Sequence, residues 1–198
     1  MTQQGKNAID LVLAESLIEL SAKKPIDKIT IKEITDKAGV IRPTFYNHFQ
    51  DKYELIEWII KSELLEPIKP LLNAGMIFEA IVLMLNNISA NSVFYKKALK
   101  LEGAVTFNQI AMKCVYEMFM NIINEKSTGK KSKYRWLTPE VISTYYAQSL
   151  CFITEGWIAQ GMDDIEPKEM AEAYMYLITR SMDDIPVSYT HLTLPTIA

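Results

Sequence analysis

Ile9, Val12, Leu13, Leu17 and Leu20 recur at helical spacing with polar residues between them, which predicts an amphipathic helix over 6–22. Lys23-Lys24-Pro25 ends it, because the residue before a proline is driven out of the helical region. The next apolar run, Ile29-Thr30-Ile31, is β-branched and by propensity alone would be a strand. Its flanks decide otherwise. Thr30 and Glu33 have the spacing of a capping box, in which the hydroxyl takes the third amide and the carboxylate reaches back to the cap. Ile31, Ile34 and Ala38 then share one face, so a short helix is predicted over 30–37, with Gly39 as a left-handed C-cap. A second short helix follows over 41–47, turning Val40, Phe45 and Phe49 towards the first. Asp51 and Glu54 repeat the capping-box spacing and open a helix carrying Leu55, Ile56, Trp58, Ile59 and Leu64 as far as Pro67.

Beyond Gly75 the pattern gives helices over 76–89, 92–101, 105–126, 139–160 and 167–182. Thr138-Pro139-Glu140 is a helix start: proline suits the first helical position and an acid suits its positive end. Gly161 is the matching stop. Pro167 opens the last helix, where Met170, Ala173, Tyr174, Leu177 and Ile178 form one stripe. The expected fold is all-α, with a three-helix N-terminal domain over 6–66 and a helical bundle over 67–185. Residues 186–198 (PVSYTHLTLPTIA) alternate like a strand without a partner, resemble a cloning read-through tail and are set aside.

Composition narrows the function classes. Hydrophobic residues are 49% of the chain's 198, enough for a sizeable core, while 7 glycines and 8 prolines favour long regular elements. The net charge of −3 gives no general attraction for nucleic acid, so any such function must come from a local motif. The two cysteines, Cys114 and Cys151, form no CxxC pair and suit a reducing compartment as small buried hydrophobes. The polar start and the short apolar run Ala80–Leu85 point to a soluble, cytoplasmic protein. No paired acid and base, nucleophile with a base, metal cluster or Gly-rich phosphate loop stands out, so neither an enzyme nor a cofactor or metal is expected. Lys130, Lys131, Lys133 and Arg135 read as a solvated loop.

The segment Thr30–Phe49, TIKEITDKAGVIRPTFYNHF, is helix, glycine turn, helix. Such a unit places its second helix in a major groove of DNA with its N-terminal residues at the base edges. Arg42 can hold guanine with two donors and Asn47 can pair with adenine. Thr44, Tyr46 and His48 carry donors for phosphate oxygens, and Thr30 and Lys52 stand at helix starts where further phosphates can bind.

In these residues the chain resembles the TetR family of bacterial transcription regulators. The run from Ala38 to Leu55, A-G-V-x-R-P-T-F-Y-N-H-F-x-D-K-x-x-L, follows the family signature nearly position for position. The resemblance implies that Pro43, Thr44, Tyr46 and His48 touch DNA, that Lys52 contacts a phosphate, and that Phe45 and Phe49 are core. Ile41 departs from the Ser or similar cap that many members carry, and losing an N-cap costs about 0.5–2 kcal/mol; it can instead touch a thymine methyl. More loosely, the Asn91-Phe94-Tyr95 helix start and the spacing from Pro139 through Trp157 and Gly161 to Pro167 resemble a subgroup that includes regulators of dihydroxyacetone kinase operons. The function implied is a homodimer on near-palindromic double-stranded DNA, by family default a repressor, modulated by a small-molecule effector or a protein partner. Pairing is expected through 139–160 and 167–182 as a four-helix bundle, with Tyr145, Ser149, Gly156, Tyr174 and Leu177 at the interface. The alternative is a helical co-regulator acting mainly through a protein partner. The C-terminal aromatics and methionines, among them Phe78, Met84, Tyr95, Tyr145, Phe152 and Trp157, read as core or as the lining of an effector pocket.

Overall fold

The computed structural model describes residues 3–103, 105–126 and 133–181, which fold as ten α-helices with no strand among them. The tail at 186–198, and most of the basic loop with it, lie outside the described residues. Helix α1 (Gln3–Lys23) leads through a short 3-10 turn (Ile26–Lys28) into α2 (Ile31–Ala38), α3 (Arg42–Tyr46) and α4 (Lys52–Ile59). Leu13, Leu17, Ile34, Phe45, Leu55 and Ile56 meet in their shared core, each without exposed surface. Val12, placed on the inward stripe of α1 by spacing, is 41% exposed; Asp10, Ser16 and Ser21 are buried on that helix instead.

The helix opened by Lys52 does not stop at Pro67 in one regular piece. It widens into a π-helical turn over Ile60–Leu65, and a short helix missed by the periodicity, α5 (Lys69–Asn73), follows with Pro70 in its first turn. Five residues are too few to register a 3.6-residue period, and Pro67 and Pro70 mask the element. Then come α6 (Ile77–Ala90), α7 (Ser92–Ala98), α8 (Phe107–Lys126), α9 (Pro139–Ala159) and α10 (Pro167–Thr179), each within a few residues of expectation. α8 runs along α9, α10 packs on α6, and α1 reaches across to α7, so the N-terminal unit is seated directly on the bundle. A polar clasp reinforces that seat: Glu57 of α4 accepts from Lys61 at 2.7 Å and from Lys113 of α8 at 2.8 Å, and Lys61 also meets Glu117 at 2.8 Å. The Trp157 indole donates to the Ile165 carbonyl at 2.9 Å and closes the loop between α9 and α10. No single helix among the described residues is long and apolar enough to cross a membrane.

Candidate nucleic-acid interface

Local chemistry fixes both helices of the motif. The Thr30 hydroxyl accepts from the Glu33 amide at 3.3 Å, and the Glu33 carboxylate takes the Thr30 amide at 2.9 Å, so the expected capping box is formed. The Lys24 ammonium, with the amide and hydroxyl of Thr30, holds the Glu33 carboxyl at about 2. Gly39 adopts φ +69°, a left-handed bend that an L side chain rarely takes, and the Val40 amide closes it on the Thr35 carbonyl at 3.0 Å. The chain therefore leaves α2 sharply and enters α3 with Pro43 in its first turn. Ile41 makes no side-chain cap, as its apolar side chain dictates.

One face of α3 is anchored and the other is offered to solvent. Phe45 is fully buried and Phe49 nearly so; their rings lie 5.9 Å apart, and Phe49 meets Trp58 of α4 edge-on at 6.3 Å. Outward stand Arg42, Pro43 and Asn47, with Ile41 69% and Tyr46 51% exposed and Thr44 half-buried. Arg42 has no acidic partner among the described residues; its guanidinium reaches the Tyr46 hydroxyl at 3.3 Å and leans over that ring. Lys24, Lys32 and Lys37, the nearby cations, are paired with Glu33, Asp36 and Glu19.

Two residues given a phosphate role face inward instead. The His48 side chain is only 2% exposed, and its Nδ1 lies 2.6 Å from a carboxylate oxygen of Asp10, itself buried. Through this contact it ties the end of α3 to α1. Lys52 directs its ammonium at the carbonyls of Ile26, Asp27 and Ile29, at 3.0, 2.7 and 3.2 Å. Three donors meet three acceptors, and burial pulls its pKa below the ordinary lysine value. Lys52 closes the turn between α1 and α2. Asp10 was missed because a lone acid within a helix reads as solvated, and the acceptors of Lys52 are backbone groups that no sequence pattern marks. The second capping box is also only half formed: Asp51 accepts from Tyr53 and Glu54 amides, but the Glu54 carboxylate takes the Gln50 amide in place of that of Asp51. The Thr30 hydroxyl is likewise engaged with Glu33 in both directions, although the residue is exposed.

A glycine-turned helix pair, with one buried face and a polar outer row headed by an unpaired arginine, is the arrangement of a DNA-reading head. Residues 15–59 match the description "Bacterial regulatory proteins, tetR family", and residues 76–180 match "Transcriptional regulator C-terminal region" of the same family. The chain belongs to the TetR family. It is a transcription regulator and not an enzyme. The chain is 26% identical over 152 residues to the HTH-type dhaKLM operon transcriptional activator DhaS of Lactococcus lactis, covering 76% of this chain and 79% of that one. The fold is similar to a solved dihydroxyacetone kinase operon activator DhaS, with a TM-score of 0.61 at 21% identity over 86% of this chain and 94% of that one. It is also similar to NalD, the secondary repressor of the MexAB-OprM multidrug efflux pump in Pseudomonas aeruginosa, with a TM-score of 0.56 at 13% identity over 86% and 94% of the two chains.

In the bundle, α9 and α10 keep apolar surface outward. Tyr145 is 60% exposed, Phe152 77% and Leu177 44%, so neither Tyr145 nor Phe152 belongs to the core, and Phe152 lines an open groove beside Gly156 and Trp157. Ser149 and Gly156 are half-buried, and nothing lies within 4 Å of where a Cβ on Gly156 would be. Tyr174, expected at the interface, is buried inside the protomer, while Ala173 and Leu177 of the same stripe stay exposed, so the stripe is split between the bundle and solvent. A cavity of about 360 Å3 lies between α6, α8, α9 and α10, lined mainly by Ile, Leu and Met, with Phe119, Tyr146 and Tyr174.

Proposed function

We propose that two copies of the chain bind a near-palindromic operator, each laying the outer face of α3 in the major groove, and that an effector sets their affinity for DNA. The observation that supports this most is the exposed row of Arg42, Pro43, Tyr46 and Asn47 on a helix whose opposite face is locked by Phe45 and Phe49. Arg42 and Asn47 read bases; Thr44 and Tyr46 hold phosphates. Ile41, largely exposed at the head of α3, meets a thymine methyl. His48 and Lys52 act behind this face by fixing α3 and the turn before α2.

One five-residue helix makes few base contacts, so pairing is mechanically necessary. The outward apolar residues of α9 and α10 supply a surface for it, with Gly156 allowing close helix approach. A two-fold pair carries two reading helices about 34–36 Å apart, one duplex turn. An effector that prefers one spacing of the heads shifts DNA affinity by its differential binding to the two states. Repression is the expected default and arises where the operator overlaps a promoter; an upstream operator gives activation.

Fluorescence anisotropy on the DNA flanking the gene tests this. Wild type is expected to bind at physiological salt, Arg42→Ala to weaken binding by roughly fivefold or more, from about 1–3 kcal/mol per bidentate base contact, and Tyr46→Ala to weaken it by less, as for a phosphate contact. Equal binding by all three proteins would remove the assignment of the face.

A further inference from the structure

Arg42 and Tyr46 stand one helical turn apart on α3, the spacing that stacks two side chains on one face. The Arg42 Nη2 donates to the Tyr46 hydroxyl at 3.3 Å, and the guanidinium carbon lies 6.0 Å from the centre of the ring. The ring itself is held from behind. Tyr46 meets Phe45 edge-on, with centroids 5.6 Å apart and planes at 85°, and Phe45 has no exposed surface. Contacts thus run from the core of the head, through Phe45 and Tyr46, to the end of an exposed arginine.

The hydroxyl of Tyr46 is engaged on one side only. It accepts from Arg42, and an arginine can only donate, so the hydroxyl proton is left for an acceptor outside the protein. The guanidinium keeps its other N–H groups, enough for both acceptors on the major-groove edge of guanine. A cation resting against a ring leaves the rim of its planar fork open for those bonds. An unsupported arginine loses many rotamers when it binds, and one already held against a ring loses fewer.

We propose that Tyr46 is a positioning residue for base reading: its hydroxyl accepts from Arg42 while donating to a phosphate, so that the phosphate contact sets where Arg42 meets a guanine. This rests on the reading of α3 as the helix that enters the groove, and it couples two contacts that would otherwise be independent. Each half-site then carries one G·C pair, opposite Arg42, whose preference depends on a side chain that does not touch the base.

Fluorescence anisotropy with the full chain tests the coupling, on the DNA flanking the gene and on copies in which each base pair of a half-site is replaced in turn. Wild type is expected to lose roughly fivefold or more in affinity when one G·C pair is replaced, and Arg42→Ala to lose that preference. Tyr46→Phe keeps the ring on Phe45 and removes only the hydroxyl. It is expected to melt with wild type and to narrow the preference at that same pair by roughly twofold or more, leaving the preferences at other pairs unchanged. In an Arg42→Ala background, Tyr46→Phe should lower affinity for every sequence by one common factor, as the loss of a phosphate contact does. A Tyr46→Phe protein that keeps the full preference at the G·C pair, with affinity reduced equally for all sequences, would overturn the coupling and leave Tyr46 a phosphate contact alone. A G·C preference that survives Arg42→Ala would overturn it too. Wild type without preference for any base pair would overturn the reading of α3 beneath it, which the other two outcomes leave standing.

Discussion

His48 shows how a motif residue can support an exposed helix face from behind it. Its buried bond to Asp10 joins two helices, and removing one member leaves a polar group stranded in the core. His48→Ala is expected to lower stability by about 1–3 kcal/mol, read by denaturant unfolding, whereas a surface phosphate contact would change it by less than about 0.5 kcal/mol. Lys52 is the same case with backbone acceptors. The outward residues Arg42, Pro43, Tyr46 and Asn47 were legible because a helix with Phe45 and Phe49 inward must turn them out. His48 and Lys52 were not, because polar side chains near a surface can bend inward to partners far away in sequence. The cysteines behaved as expected of small hydrophobes: both are buried, and burial pushes each thiol up to about 12. Native protein at neutral pH should therefore resist iodoacetamide, with full alkylation only after denaturation; rapid labelling of either thiol would contradict its burial.

At the scale of the element, the start of α2 is set by one capping box. Thr30→Ala should cost about 1 kcal/mol and loosen α2 against α3, with a loss of DNA affinity in proportion to the disorder introduced. The same box titrates. Glu33 has its pKa lowered from 4.5 to about 2, so its contribution is complete above 4.5 and is lost as the pH falls through about 2. An NMR titration should show the Thr30 amide shifting over that lower range; a midpoint near 4.5 would mean that the box is open in solution. Helix existence and order were readable here because apolar residues recur at helical spacing in each long helix and some starts are marked, as at Thr138-Pro139-Glu140. The π turn at Ile60–Leu65 and the brief α5 were not, since the turn packs against α6 and α8, α5 packs against α6, and both are too short to leave a period of their own.

At the scale of the molecule, two couplings join head and bundle: α1 against α7, and α4 held to α8 by Glu57, Lys61 and Lys113. In the proposed mechanism these packed elements are the route by which a shift in the bundle reaches α3. In the proposed dimer the outer faces of α9 and α10 form the interface. Phe152→Glu, on a side chain 77% exposed in the protomer, is expected to leave the protomer's fold intact and abolish the dimer in sedimentation measurements. The sequence marked the apolar stripe of α10 but could not separate its two faces at Tyr174, since a stripe that is apolar all along can serve a core or a partner equally well.

The geometry of α3 is tested most directly by hydroxyl-radical footprinting of the full chain on the DNA flanking its gene. Two protected patches one helical turn apart on the same side of the duplex, both lost with Arg42→Ala, are expected. A single patch, or protection unchanged by that substitution, would contradict two heads reading adjacent major grooves.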